Sequence, residues 1–447
     1  MAIKMLSLIR FDPVTCDLIR GTGLSFSLRI GGAGLGLVFN LILARYVGAE
    51  GVGLLFLGLT VVGLVGIVAR LGLDSIIVRE VAPHASAGQW AAVGDVAKAT
   101  IRIGLISSLL CTLLLWLAAP VLADVVFSKP ALAHVLYWLS LTVLPATLAM
   151  FYSELLRGAQ RFIESQLAQV FITPLVTVFI LFVAGQAFGL SAAMAAHIAG
   201  NIAALMLGYL AWRRLAASHG GGERTELLSS RLLRSGSPLL WVALLNTLVS
   251  TVDVLILGAL GTAADVGVYG VAARLAMLTT FILLAVNSYA APKFAVFHCN
   301  NDLAGLAQYA VRSTRLTLLI ASPILFVLVA MPKVVLSLFG PQFEQGEWVL
   351  VILALGQMIN VATGSVGQIL IMTGNERILR SCSIASVLIT VALNFSLIPY
   401  FGALGAAFST MVGGVVLNIL AMLSVRKKLG VMVHFLAPAF RQSIRQS

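Results

Sequence analysis

The chain has 447 residues, of which 60% are hydrophobic and only 10% charged, with a mean hydropathy of +1.03. A soluble domain carries about 25% charged residues, so these figures exclude a soluble protein and leave an integral membrane one. The net charge of +12 would suit a nucleic-acid binder, but the basic residues sort to one side of the apolar segments, so no nucleic-acid partner is expected.

The strict alternation of a membrane β-barrel is absent, so the expected fold is all-α. About twelve segments reach the ~20 apolar residues that a membrane helix requires. They cover residues 24–46, 51–73, 101–123, 132–154, 166–187, 190–212, 238–260, 265–290, 312–335, 347–371, 381–400 and 403–425. Residues 1–21 contain no apolar run long enough for a cleavable signal peptide. Cys16, Cys111, Cys299 and Cys382 have no paired spacing, so neither a disulfide framework nor a metal site is expected.

Lysine and arginine set the orientation. Of the 29, only Arg45, Lys129 and Lys333 fall on one side, and Arg29 and Arg274 lie within helices. The rest lie at the termini or in even-numbered loops, which places both termini in the cytoplasm.

The polar stretch from Arg213 to Gly236, with Gly220-Gly221-Gly222, reads as a flexible linker. The expected organisation is an N-terminal lobe over 1–215, a cytoplasmic linker over 216–236 and a C-terminal lobe over 237–447. The lobes repeat one another. Phe188-Gly189-Leu190-Ser191-Ala192-Ala193 matches Phe401-Gly402-Ala403-Leu404-Gly405-Ala406-Ala407. Gly158-Ala159-Gln160-Arg161 matches Gly374-Asn375-Glu376-Arg377, and Gly48 to Gly53 resembles Gly261 to Gly267. An even helix count in each half makes these parallel repeats.

Polar residues inside apolar spans need a partner, a wet cavity or a task. Ser25, Arg29, Gly32, Gly36 and Asn40 share one face of the first helix, either as a packing seam or as a cavity wall. Asn246, Ser250 and Asp253 share a face of the seventh. Gln357, Asn360, Gly364 and Gln368 share one of the tenth. Asp253 and Arg274 lie about two turns from a shared turn at ~1.5 Å per residue, so they either form an ion pair or line a polar path. His197 and Asn201 are one turn apart, which suits a packing hydrogen bond or a proton carrier. Pro145, Pro174 and Pro323 are expected to kink their helices. Enzyme chemistry is not expected: metal-ligand spacing, a nucleophile elbow and a large outer loop are all missing.

Several stretches carry a family resemblance: Leu43-Ala44-Arg45-Tyr46-Val47-Gly48-Ala49-Glu50-Gly51-Val52-Gly53, then Arg70-Leu71-Gly72-Leu73-Asp74, then Val78-Arg79-Glu80-Val81-Ala82. With Asp253, Gly258 to Gly261, Val266-Gly267-Val268-Tyr269 and the turn at Gly374, the chain resembles polysaccharide-transport flippases. These belong to the multidrug/oligosaccharidyl-lipid/polysaccharide exporter superfamily. The resemblance implies two pseudo-symmetric six-helix lobes around a central cavity, in a bacterial inner membrane. It implies a polyprenyl-diphosphate-linked oligosaccharide as substrate, moved without a cofactor. Membrane lipids, a coupling proton or sodium ion, and polymerase and chain-length proteins are the further partners implied. Arg29 and Arg274 stand where the family carries cations, with Arg70 as a third diphosphate candidate or a plain interfacial anchor. Asn40, Asn246, Ser250, Gln357, Asn360 and Gln368 would form the polar wall, and Asp253 the ion-coupling or ion-pair residue. Two other readings remain: a cation-coupled drug exporter of the same superfamily, for which Asp253 speaks, and a non-transporting scaffold.

Overall fold

The computed structural model describes residues 13–217, 226–431 and 433. Among them there is no strand, and ten helices are long and apolar enough to cross a membrane. The major helices are α1 (Pro13–Arg70), α2 (Asp74–Ser86), α3 (Trp90–Val121), α4 (Ala131–Ser140), α5 (Val143–Gly158), α6 (Ile172–Ala217) and α7 (Glu226–Leu260). They continue as α8 (Ala263–Ala276), α9 (Leu278–Cys299), α10 (Leu303–Ala330), α11 (Glu347–Thr363), α12 (Val366–Met372), α13 (Glu376–Phe401) and α14 (Ala403–Leu429).

Two of these helices are too long to be one span. In α1 the backbone leaves the helix at Gly48 (φ 66°, ψ −175°), and in α6 at Gly189 (φ 51°, ψ −121°). Left-handed backbone costs an L-residue with a side chain about 1–2 kcal/mol, so glycine marks both breaks. The long loop expected after the second span is itself structured. It holds α2, whose Ile76, Ile77 and Val81 are buried against Val93, Val96, Phe151 and Leu155.

The prolines behave differently from one another. Pro145 falls in the first turn of α5, where a missing N–H costs nothing. Pro174 falls in the first turn of α6, directly after a wide π-type turn at Leu167–Phe171 that takes up the ring's clash with the preceding carbonyl. Only Pro323 of the three lies well inside its helix, α10.

The chain divides into two compact units. One takes residues up to Tyr46 and then Gly58–Leu248; the other takes Val47–Leu57 and everything from Val249 on. The division differs from the expected lobes in placing Val47–Leu57 with the second unit and residues 237–248 with the first; for Val47–Leu57 a physical reason is visible. The reason is backbone-to-backbone contact: a side chain at Gly53 would land on the Ala263 carbonyl oxygen, and one at Gly267 on that of Ala49. Only glycines allow so close an approach. The two resembling motifs therefore pack on each other.

Within each unit the same local geometry recurs at nearly constant offset. Gly402 ends α13 with φ 52° and ψ −127°, almost the angles of Gly189. Gly88 N donates to Ala85 O and Gln89 N to His84 O; Asn301 N donates to His298 O and Asp302 N to Phe297 O. Gln160 N donates to Arg157 O and Arg161 N to Leu156 O; Gly374 N donates to Ile371 O and Asn375 N to Leu370 O. This last pair corrects the expected alignment of Gly158 with Gly374 by two positions, because Gln160, not Gly158, is the left-handed residue (φ 62°). A helix seam recurs too. Thr177 Oγ1 donates to Thr173 O beside Gly200, and Thr390 Oγ1 donates to Ser386 O beside Gly413.

Candidate functional site

Asp253 is the centre of a polar cluster inside the second unit. Asn394 Nδ2 donates to its Oδ1 at 2.5 Å, Thr410 Oγ1 to its Oδ2 at 2.8 Å and Tyr269 OH to the same oxygen at 3.2 Å. The Tyr269 and Thr410 hydroxyls are themselves 2.9 Å apart. Four helices, α7, α8, α13 and α14, each supply one of these residues. Asn394 is fully buried, and its Oδ1 has no hydrogen-bond partner. Charge-assisted bonds from neutral donors hold a carboxylate without a counter-cation. The cluster also gathers several oxygens around one carboxyl, which suits a proton or a small monovalent cation. Among the described residues no group of three or more His, Cys, Asp or Glu could hold a metal ion.

Of the two arrangements expected for Asp253 and Arg274, the ion pair is not formed. Arg274, half-buried on α8, stacks over the Phe56 ring at 3.6 Å from the centroid. Gly270, one turn earlier, makes the room: a side chain there would strike the same ring. Stacking engages the flat face of the guanidinium, whose N–H donors point outward from its edge.

The polar stripe of the tenth span is cut short. Gly364 (φ 76°) ends α11 and Gln368 belongs to α12, so the helical spacing that grouped Gln368 with Gln357 and Asn360 does not apply. Gln357 and Asn360 remain together and extend across three helices. Thr280 Oγ1 donates to Gln357 Oε1 at 3.2 Å, Asn360 Nδ2 to the same oxygen at 3.3 Å, and Asn418 Nδ2 to Asn360 Oδ1 at 3.2 Å. Asn246 and Ser250 are exposed on α7. Asn40 is buried. Arg29 lies on α1, but its side chain is outside the described residues, as is that of Ser25.

Arg70 closes α1 in the first unit. Its Nε lies 3.6 Å from Asp74 Oδ2, an ion pair with both side chains about a quarter exposed (25% and 27%). It lines a pocket of about 190 Å³ with His197, Thr142, Thr147 and Gly66. Thr147 Oγ1 is buried there without a hydrogen-bond partner. His197, weighed as a proton carrier or a packing residue, thus faces this pocket, while Asn201 Nδ2 donates to the His197 carbonyl. Nearby on α5, Glu154 is buried and pairs with Arg157 at 2.5 Å.

Asn394, Thr410 and Phe56 escaped the sequence reading, and Tyr269 entered it only within a family motif, not as a site residue. The signal for Asn394 was present: it sits in Val391-Ala392-Leu393-Asn394-Phe395, a lone amide in an apolar span that needs a partner. Nothing in the spacing of Tyr269 or Phe56 separates them from core aromatics.

The Polysaccharide biosynthesis protein family model matches residues 18–298, and the MatE model matches residues 238–396. The chain is 25% identical over 401 residues to the "Probable low-salt glycan biosynthesis flippase Agl15" of Haloferax volcanii, covering 88% of this chain and 80% of that one. A solved structure of "Lipid II flippase MurJ, inward closed conformation" superposes with a TM-score of 0.70 at 13% identity, over 91% of this chain and 87% of that one. An inward-facing multidrug resistance MATE family transporter of the MOP superfamily does so with a TM-score of 0.73 at 16% identity, over 91% and 98%. At such identities the two solved structures show a shared fold.

Proposed function

The chain belongs to the polysaccharide biosynthesis protein family, within the superfamily that also holds the MATE transporters, and on that premise we propose that it is a flippase for a polyprenyl-diphosphate-linked oligosaccharide. It carries the substrate from the cytoplasmic to the outer leaflet for surface polysaccharide assembly. It works by alternating access and is not an enzyme.

The observation that carries this reading is Arg274, a cation within an apolar span whose guanidinium is stacked on the Phe56 ring. A diphosphate must leave water to cross, and a guanidinium offers permanent charge and a fork of donors for it. Arg29 and Arg70 are its proposed companions. Asn40, Asn246, Ser250, Gln357, Asn360 and Gln368 are the proposed polar wall of a central cavity. The oligosaccharide meets that wall, while the lipid tail stays in the bilayer.

Two repeated halves are the proposed frame, N-terminal over 1–215 and C-terminal over 237–447 with a linker between. Counting each glycine-broken helix as two turns ten into twelve. The recurring turns and the recurring glycine seam support the repeat. The lysine and arginine asymmetry supports both termini in the cytoplasm of a bacterial inner membrane. Asp253, with Asn394, Thr410 and Tyr269, is the proposed site of a coupling proton or sodium ion. Polymerase and chain-length proteins are proposed partners.

A drug exporter is the second reading, favoured by a carboxylate within a span and by the MatE match. Deleting the gene in its own host and restoring it decides between them. Restored surface glycan, with Arg274→Ala failing at equal protein level, supports the flippase. Unchanged glycan with changed drug resistance supports the exporter. Full restoration by Arg274→Ala removes the cation from the mechanism.

A further inference from the structure

Outside the residues assigned to the substrate, the first unit carries a second pocket, of about 680 Å³, between α3, α5 and α6. Its mouth holds three cationic side chains, Lys98 and Arg102 on α3 and Arg213 on α6, all exposed. Its floor is aromatic. Tyr152 and Tyr209 meet edge to face at 5.8 Å, and Trp212 packs with Tyr152 against the core of the unit.

Position on the helices gives the pocket a direction. Arg102 and Leu105 both line it, and beyond Leu105 the α3 surface is a run of exposed apolar side chains, Leu109, Leu113 and Leu117 among them (52%, 54% and 58% exposed). On α6, Met206 and Ile202 continue from Tyr209 in the same way (57% and 50% exposed). Cations therefore stand at one end of an apolar track. The Lys and Arg asymmetry puts that end at the cytoplasmic face, where tyrosine and tryptophan also prefer to lie.

We propose that this pocket is a binding site for an anionic glycerophospholipid of the inner leaflet. Lys98, Arg102 and Arg213 receive the headgroup phosphate, Trp212 and Tyr209 flank the glycerol, and the acyl chains lie along Leu105 and Leu109. A basic pocket between membrane helices on the cytoplasmic side has the chemistry for such a headgroup. A free soluble anion would engage the cations but would leave the apolar track without an occupant. A bilayer lipid satisfies both. Because the site joins α3, α5 and α6, its occupant braces the first unit.

The test is lipid retention. Full-length protein is reconstituted with equal phosphatidylglycerol and phosphatidylcholine, extracted in mild detergent, and its co-purifying lipid is measured by mass spectrometry. The wild type is expected to retain phosphatidylglycerol over phosphatidylcholine, with a roughly fivefold loss for each cation removed. Lys98→Gln with Arg102→Gln and Arg213→Gln together abolishes the preference, while Arg214→Gln, next to the pocket but not in its lining, keeps it. Equal retention of the two lipids by wild type overturns the proposal. So does a triple variant that still prefers phosphatidylglycerol, or an Arg214→Gln variant that loses as much. If the triple variant does not fold in phosphatidylcholine, Arg102→Gln alone decides, and an unchanged preference overturns the site. Excess inorganic phosphate during extraction leaves the lipid bound; displacement by it overturns the lipid assignment in favour of a soluble anion.

Discussion

The Arg274 guanidinium lies 3.6 Å over the Phe56 ring, while the Asp253 carboxylate takes its hydrogen bonds from Asn394, Thr410 and Tyr269. Two ionisable residues on adjacent membrane helices thus have separate environments.

The Phe56 ring is one contact of Arg274. Phe56→Leu is expected to leave protein level near normal, since a cation–π contact is worth about 0.5–2 kcal/mol. Surface glycan should drop severalfold as the arginine loses its platform. Arg274→Lys should be worse than Phe56→Leu, because lysine keeps the charge but not the fork. Glycan quantification at matched protein level checks the order; lysine performing as well as arginine would contradict it.

Asn394 tests the other cluster. A buried hydrogen bond to a charged group contributes about 1.5–3 kcal/mol, so Asn394→Ala should lower thermal stability in detergent clearly. Asp253→Asn removes the acceptor charge and should abolish any dependence of transport on sodium or on a proton gradient. A variant that keeps the wild-type ion dependence would show that coupling lies elsewhere.

Gly53 tests the close contact within the second unit. Gly53→Ala drives a methyl into the Ala263 carbonyl, a backbone atom that cannot swing away. Overpacking of this kind costs about 1–3 kcal/mol or more, so the folded yield on gel filtration should fall. Gly414→Ala meets nothing within 4 Å and should be neutral or gain up to about 1 kcal/mol from better helix propensity.

Asp74 gives a pH dependence. Burial pushes its carboxyl above the ordinary 3.8, although Arg70 and Arg157 pull the other way. A carboxyl raised in the folded state favours folding most below its unfolded value and loses that contribution as pH rises through the raised one. The melting temperature of Asp74→Asn relative to wild type should therefore shift in the variant's favour on going from below 3.8 to neutral pH. A relative shift toward wild type would mean that the arginines dominate.

The membrane segments were legible because apolar length gives them without tertiary information, while the side of each loop rests on the sorting of arginine alone. The matching breaks were legible too, since Gly189 and Gly402 mark positions that only glycine fills cheaply. The site was less so. Helical spacing puts Gln368 on a stripe that Gly364 breaks, because a glycine inside an apolar run reads equally as packing or as a break. Depth counting brought Asp253 and Arg274 to one level but carried no rotation about the helix axis. In the structure Arg274 meets Phe56, in the space that Gly270 leaves, while Asp253 meets Asn394, Thr410 and Tyr269.

The central claim is that a cation in the span carries a diphosphate headgroup across. The direct measurement is leaflet accessibility of a polyprenyl-diphosphate oligosaccharide in proteoliposomes, read with an impermeant sugar-modifying reagent. Wild-type protein should expose the inner-leaflet pool over time, and Arg274→Ala, reconstituted in equal amount, should leave it shielded as in empty liposomes. Equal exposure by wild type and Arg274→Ala would contradict the account.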